Sequence, residues 1–264
     1  MRTAPSCIPP QRWERVDALR GAAMVWMTLF HLGFDLDYLG YWKQDFLVDP
    51  LWTVQRTCIV GLFLFCAGLG QAMAWEQQQT GRRFLRRWMQ IAGCALLVTT
   101  GSYAVFPTSF IYFGVLHGLA VMLLLARATA AAKPVLLWLG GALALALPVG
   151  AGWLLAGPLV HWSEAFNAPA LNWLGFVTRK PFTQDYVPLL PWMGVVWWGM
   201  AAGQWLLQHR RAWLQRFVPL PLQPLAVLGR WSLSYYLLHQ PVLLAALWTA
   251  GWTLGQTPMH MQGH

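Results

Sequence analysis

Long uninterrupted apolar runs dominate this chain, and they limit what it can fold into. A backbone with no water around it must satisfy its own N–H and C=O groups, so a run of about 20 apolar residues bounded by charge reads as a membrane-spanning helix. Runs of this kind fall at roughly 18-39, 51-75, 88-106, 111-126, 134-156, 188-207 and 226-252. The fold class they predict is all-α, a polytopic transmembrane helix bundle of about seven spans. A tail at 1-17 precedes the single membrane domain at 18-252, and a second tail at 253-264 follows it.

Composition excludes the main rivals. With 57% apolar and 10% charged residues, the chain is far from the soluble average of about 25% charged, and too hydrophobic for disorder. The net charge of +9 sits in short clusters between apolar runs, so it reads as an orientation signal and not as a nucleic-acid footprint. Of the four cysteines, Cys7 lies in the N-terminal tail and Cys58, Cys66 and Cys94 lie in apolar runs. Neither a disulfide framework nor a metal-binding CxxC pattern results. The first apolar run follows Arg2, Arg12 and Arg15; it is too long for a signal peptide and has no small-residue cleavage site, so it reads as an uncleaved first span.

Charge also sets an orientation. The loops between spans are a segment at 40-50, a basic loop at 76-87 containing RRFLRR, the FPTSF turn, a turn ending at Lys133, a long loop at 157-187, and HRRAWLQR. An N-in, C-out arrangement puts twelve Lys and Arg on cytoplasmic segments against three, Lys43, Arg179 and Lys180, on external ones. That asymmetry is the positive-inside pattern.

Ionisable side chains inside hydrocarbon are costly and mark functional sites. Arg20 and His31 are 11 residues apart, about three helical turns and about 16 Å along the axis. Asp17 and Asp35, three before Arg20 and four after His31, extend the same stripe. A histidine there acts as a general base when a carboxylate takes its other N–H, the part Asp35 is placed to play. His117 and His239 fall at a similar depth in the outer half. Arg56 enters near that level as a partner for Asp35 or for an oxyanion. Arg20 and Arg230, with RRFLRR, lie at the cytoplasmic ends of their spans, a basic entrance for a phosphate-bearing ligand. The bland readings are snorkelling arginines, interhelical hydrogen bonds, and a lipid-binding topology signal in RRFLRR. The loop at 157-187, with its Trp and Asn residues, is either a sugar contact or part of the aromatic belt.

HExxH, GxSxG, Walker and GxGxxG signatures are missing, so chemistry must come from the intramembrane His, Asp and Arg set. That set fits an acyltransferase, a proton-coupled transporter of an anionic substrate, or a haem-binding electron-transfer protein with histidine ligands.

The segments RVDALRGAAMVWMTLFHLGFDLDYLG, FLFCAGLG, GRRFLRR, IYFGVLHGLAV, DYVPLLPWMGVVWWGMAAGQ and LGRWSLSYYLLHQPV resemble the bacterial proteins related to the catalytic domain of heparan-alpha-glucosaminide N-acetyltransferase, in the transmembrane acyltransferase superfamily. The spacing of Arg20 and His31 also resembles the Arg-x10-His pattern of the acyltransferase 3 families. The resemblance implies transfer of an acetyl or other acyl group from cytosolic acyl-CoA, with acetyl-CoA as co-substrate and no metal. The acceptor would be a sugar, amine or hydroxyl at the outer side of a bacterial inner membrane, and the protein could act as a homo-oligomer. It implies His31 as base or acyl acceptor, Arg20 on the donor side, and His117 and His239 as further members of the site. The lysosomal enzyme places its histidine in the loop after its first helix; the loop here, GYWKQDFLVDP, has none, so that role passes to His31 or is absent.

Overall fold

A computed structural model describes residues 12–46 and 48–253. Arg2, Cys7 and most of the tail at 1-17, together with nearly all of the tail at 253-264, lie outside the described residues. The described chain is helical throughout, without a strand: α1 (Glu14–Tyr38), α2 (Pro50–Glu76), α3 (Gly81–Val105), α4 (Val115–Ala128), α5 (Pro134–Ala156), the short α6 (Ser163–Asn167), α7 (Leu189–His209), α8 (Arg211–Gln215), α9 (Gln223–Arg230) and α10 (Ser232–Thr253). By length and composition α2, α3 and α5 can cross a membrane; α4 is a shorter apolar helix.

Local chemistry fixes the starts of these helices. Asp49 accepts the Leu51 N–H at 2.8 Å ahead of Pro50, which supplies no N–H and has its φ preset for a helix. Thr80 caps α3 through the Arg83 N–H, and Pro134 opens α5. Because Thr80 starts α3 at Gly81, the RRFLRR run is helical and forms the first turns of α3. The expected loop at 76-87 shrinks accordingly, since a dense run of arginines is compatible with a helix whose charged end stays in water. The helix in the region expected as a fourth span begins at Val115, later than expected, because residues 106–114 form a separate segment. The region expected as a seventh span is two helices, with α9 ending at Arg230 and α10 starting at Ser232.

Packing centres on α7, which lies against α2, α5 and α4, while α1 packs on α9, α2 and α10. Close approach depends on glycine. A Cβ on Gly21 would meet the Leu225 carbonyl, and one on Gly229 the Asp17 carbonyl, so α1 and α9 touch backbone to backbone, as small residues allow in membrane helices. Leu64, Met122, Met193, Val196 and Met200 fill the core among α2, α4 and α7.

Several of the basic residues lie at one end of the bundle. Arg127 donates to the Gln79 carbonyl at 2.8 Å, Arg211 pairs with Glu76 at 2.8 Å, and Arg15 lies 4.4 Å over the Trp213 ring. At the opposite end the segment before α4 is tied to the one before α7, with Gln184 N–H donating to Ser109 at 2.9 Å and Val187 N–H to Phe113 at 3.2 Å.

Candidate active site

Two histidines on different helices come together between α1 and α10. The rings of His31 and His239 are 5.1 Å apart between centroids. His239 Nδ1 lies 2.8 Å from the Tyr236 carbonyl. A carbonyl only accepts, so Nδ1 carries the hydrogen and Nε2 keeps a free lone pair. That Nε2 is buried without a hydrogen-bond partner, as is His31 Nδ1. Tyr235 stacks on His239 at 5.9 Å and is itself held by Thr28, 2.6 Å from its hydroxyl. Phe30 meets His31 edge-on, and the stacked Phe46 and Trp52 close the apolar wall behind it.

Asp35 is buried beside the pair, but it does not take the His31 N–H expected of it. Its Oδ1 accepts from Gln240 Nε2 at 2.6 Å. Gln240 follows His239 on α10 and presents an amide donor across the helix interface, which outcompetes the imidazole on the carboxylate's own helix. Asp35 Oδ2 and Gln240 Oε1 remain buried and unpartnered. Buried polar atoms are almost always paired, so four unpaired ones, on His31 and Asp35 one turn apart on α1 and on His239 and Gln240 of α10, set this place apart from the apolar core.

His117 is placed differently. Its Nδ1 accepts the Gly114 N–H at 3.3 Å and its Nε2 lies 2.9 Å from Thr99 Oγ1, which donates to the Ile111 carbonyl. With both nitrogens occupied, the ring secures the start of α4 against α3. Arg56 is not at Asp35, whose partner is Gln240. It belongs to a charge group at the end remote from the arginines, with Lys180 and Asp185. Burial and the neighbouring Arg56 push the Lys180 ammonium below its ordinary value. Burial pushes the Asp185 carboxyl up, against the pull of the Val115 N–H, Lys180 and Arg56.

At the arginine-rich end, Arg20 Nη1 contacts Asp17 at 3.2 Å and the Gly229 carbonyl at 3.5 Å, and Arg230 pairs with Glu14 at 3.0 Å. A groove of about 980 Å³ runs between α3 and α10 from Arg12, Arg87 and Arg230 past Cys94 to Leu97 and Leu237. Gln240 and Tyr235 belong to these surroundings although sequence reasoning did not single them out, and Gln240 stood in plain view next to His239. Arg87, expected at the basic entrance as part of an RRFLRR loop, lines the groove from the first turns of α3.

An all-helical bundle with helices apolar and long enough to cross a membrane, a buried histidine pair and an arginine-lined groove defines a membrane protein with polar groups set among its helices. The chain belongs to the heparan-alpha-glucosaminide N-acetyltransferase catalytic family, whose family model matches residues 12–241. That is a family of membrane acetyltransferases. No curated protein and no solved structure matches the chain.

Proposed function

We propose that the protein transfers an acyl group, acetyl first among them, from cytosolic acyl-CoA to an amine or hydroxyl, commonly of a sugar, on the far side of a bacterial inner membrane. The topology is N-in, C-out with seven crossings, α1, α2, α3, α4, α5, α7 and the α9–α10 pair. The observation that carries this reading is the His31–His239 pair with its unpartnered nitrogens, about 16 Å along α1 from Arg20, on a helix, α10, that also lines a groove starting among arginines.

In this reading Arg12, Arg87 and Arg230 receive the donor's phosphates and the groove guides the thioester toward the histidines. The acceptor group sits among His239 Nε2, Asp35 Oδ2 and Gln240 Oε1. Three acceptors suit a group rich in donors, which favours an amine over a hydroxyl. His239 takes a proton from the acceptor as its nitrogen attacks the thioester carbonyl; the N–C bond forms, the C–S bond breaks, and CoA leaves as the thiol once protonated. His31, without a hydrogen bond of its own, relays the proton or stabilises developing charge. His117 stays structural, and Arg56 acts on the acceptor side with Lys180 and Asp185.

The test is release of free CoA from acetyl-CoA by purified protein in nanodiscs, with a mixed pool of amino sugars and neutral sugars, for wild type, His239→Ala and His31→Ala. Turnover that depends on amino sugars and is lost in the folded variants supports the reading. Accumulation of an anionic solute in proteoliposomes without chemical change would replace it with a transporter.

A further inference from the structure

The histidine pair sits between two hydrogen bonds that tie α1 to α10. Along α1 the order is Thr28, His31, Asp35, and along α10 it is Tyr235, His239, Gln240. Each meets its counterpart. Thr28 Oγ1 lies 2.6 Å from the Tyr235 hydroxyl, the two imidazoles are 5.1 Å apart between centroids, and Asp35 Oδ1 accepts from Gln240 Nε2 at 2.6 Å. The two helices therefore run parallel here. At 1.5 Å per residue, the first tie falls about 4.5 Å before His31 along α1 and the second about 6 Å beyond it.

Hydrogen count gives the direction of the first tie. Thr28 Oγ1 donates to the Met24 carbonyl at 2.8 Å, and a hydroxyl has a single hydrogen, so toward Tyr235 it only accepts and the phenol is the donor. The Tyr235 ring that makes this bond also lies nearly parallel to the His239 imidazole, at 11° between planes and 5.9 Å between centroids. One side chain thus holds the imidazole plane and, through its hydroxyl, the spacing to the helix that carries His31. Little else fixes that spacing. Only Ser232, His239 and Gly251 of α10 are buried, and α1 is its main neighbour. Membrane helices gain no hydrophobic attraction for one another, so packing and interhelical hydrogen bonds set their separation.

We propose that Thr28 and Tyr235 are positioning residues, a clamp that sets the separation and ring orientation of His31 and His239 for proton transfer without touching substrate. Only the consequence for turnover rests on the acyltransferase reading.

CoA release in nanodiscs is measured for Tyr235→Phe, which keeps the stacked ring, for Thr28→Val, which keeps the shape, for the double variant, and for Thr28→Ser, which keeps the hydroxyl. Each of the first two should lower kcat about tenfold or more, with KM for acyl-CoA unchanged, since a displacement of about 1 Å at a reacting group costs up to about 10²-fold. The double variant should fall no further, because the same bond is lost in all three, and Thr28→Ser should restore the wild-type kcat. Solid-state NMR of the same samples with isotope-labelled histidine rings should show a His31–His239 cross-peak, identified by its loss in His31→Ala. That cross-peak should weaken in Tyr235→Phe and Thr28→Val and return in Thr28→Ser. Losses of kcat that add in the double variant, or a cross-peak of wild-type strength in both single variants, overturn the proposal. Turnover absent from the wild type, with a cross-peak that depends on the Thr28–Tyr235 bond, defeats the acyltransferase and spares the clamp. Wild-type turnover in both single variants with an unchanged cross-peak does the reverse.

Discussion

His239 donates its Nδ1 hydrogen to the carbonyl of Tyr236, 2.8 Å away and three residues earlier on the same helix. That bond fixes which nitrogen is free to accept a proton, on a ring whose centroid is 5.1 Å from that of His31 on the neighbouring helix. A general base held in one tautomer typically contributes 10²–10⁴-fold. His239→Ala should therefore reduce CoA release by about 10²-fold or more while the protein still elutes as a folded species. His239→Gln should be equally inactive, because an amide can fill the space without accepting a proton. Wild-type turnover in either variant would remove His239 as the base.

Gln240 should matter through Asp35. In Gln240→Ala the Asp35 carboxylate loses the donor at 2.6 Å and is left buried without a partner, at about 1–3 kcal/mol or more for a charged group. Expected outcomes are a clear drop in thermal midpoint and a raised KM for the acceptor with little change in KM for acyl-CoA. Gln240→Glu should do worse than Ala, since two carboxylates would face each other. Equal KM changes for both substrates would show that the loss is only structural.

The titratable half of this site was legible from sequence, and the neutral half was not. His31, Asp35 and His239 stood out because a charge or imidazole in an apolar run needs explaining. Gln240 carries no charge, and only its bond to Asp35 and its unpaired Oε1 give it away. His117 was visible for the same reason as His31, yet both its nitrogens serve the α3–α4 joint, a distinction that spacing along one helix cannot make. Arg87 was misplaced because a basic run was read as a loop, where Thr80 in fact begins a helix. The division at Trp231 follows α9 packing tightly on α1 at Gly21 and Gly229, a tertiary demand that hydropathy does not record.

The capping role of His117 predicts a contrast with the pair. His117→Ala strips the acceptor from the Gly114 N–H and the partner from Thr99, so it should lower stability by about 1 kcal/mol and leave turnover per folded molecule near wild type. Thermal unfolding in detergent together with CoA release checks both halves. A large loss of turnover at unchanged stability would return His117 to the chemistry.

The crossing of α1 and α9 should be intolerant of a single methyl group. Gly229→Ala drives a Cβ into the Asp17 carbonyl, on the residue that pairs with Arg20, and the Gly229 carbonyl itself takes the Arg20 contact. Overpacking of this kind costs about 1–3 kcal/mol, and the helices must part to relieve it. The expected result is a lower thermal midpoint together with weaker CoA binding. Gly81→Ala, where a Cβ meets nothing within 4 Å, should change neither.

Asp185 gives the fold a pH dependence of defined sign. Its Oδ2 accepts the Val115 N–H at 2.7 Å at the start of α4, but burial outweighs that bond and the nearby Lys180 and Arg56, so its carboxyl titrates above the ordinary value of 3.8. The folded state thus holds this proton more tightly than the unfolded chain does. The stability it contributes is complete below about pH 3.8 and is lost as pH rises through the higher folded value. Asp185→Asn keeps an oxygen for the Val115 N–H and removes the titration. Plotted as the difference between wild type and Asp185→Asn, the thermal midpoint should fall with rising pH from about 4 upward and then level off. A difference that rises over this range would mean that Arg56 and Lys180, and not burial, govern the Asp185 carboxyl.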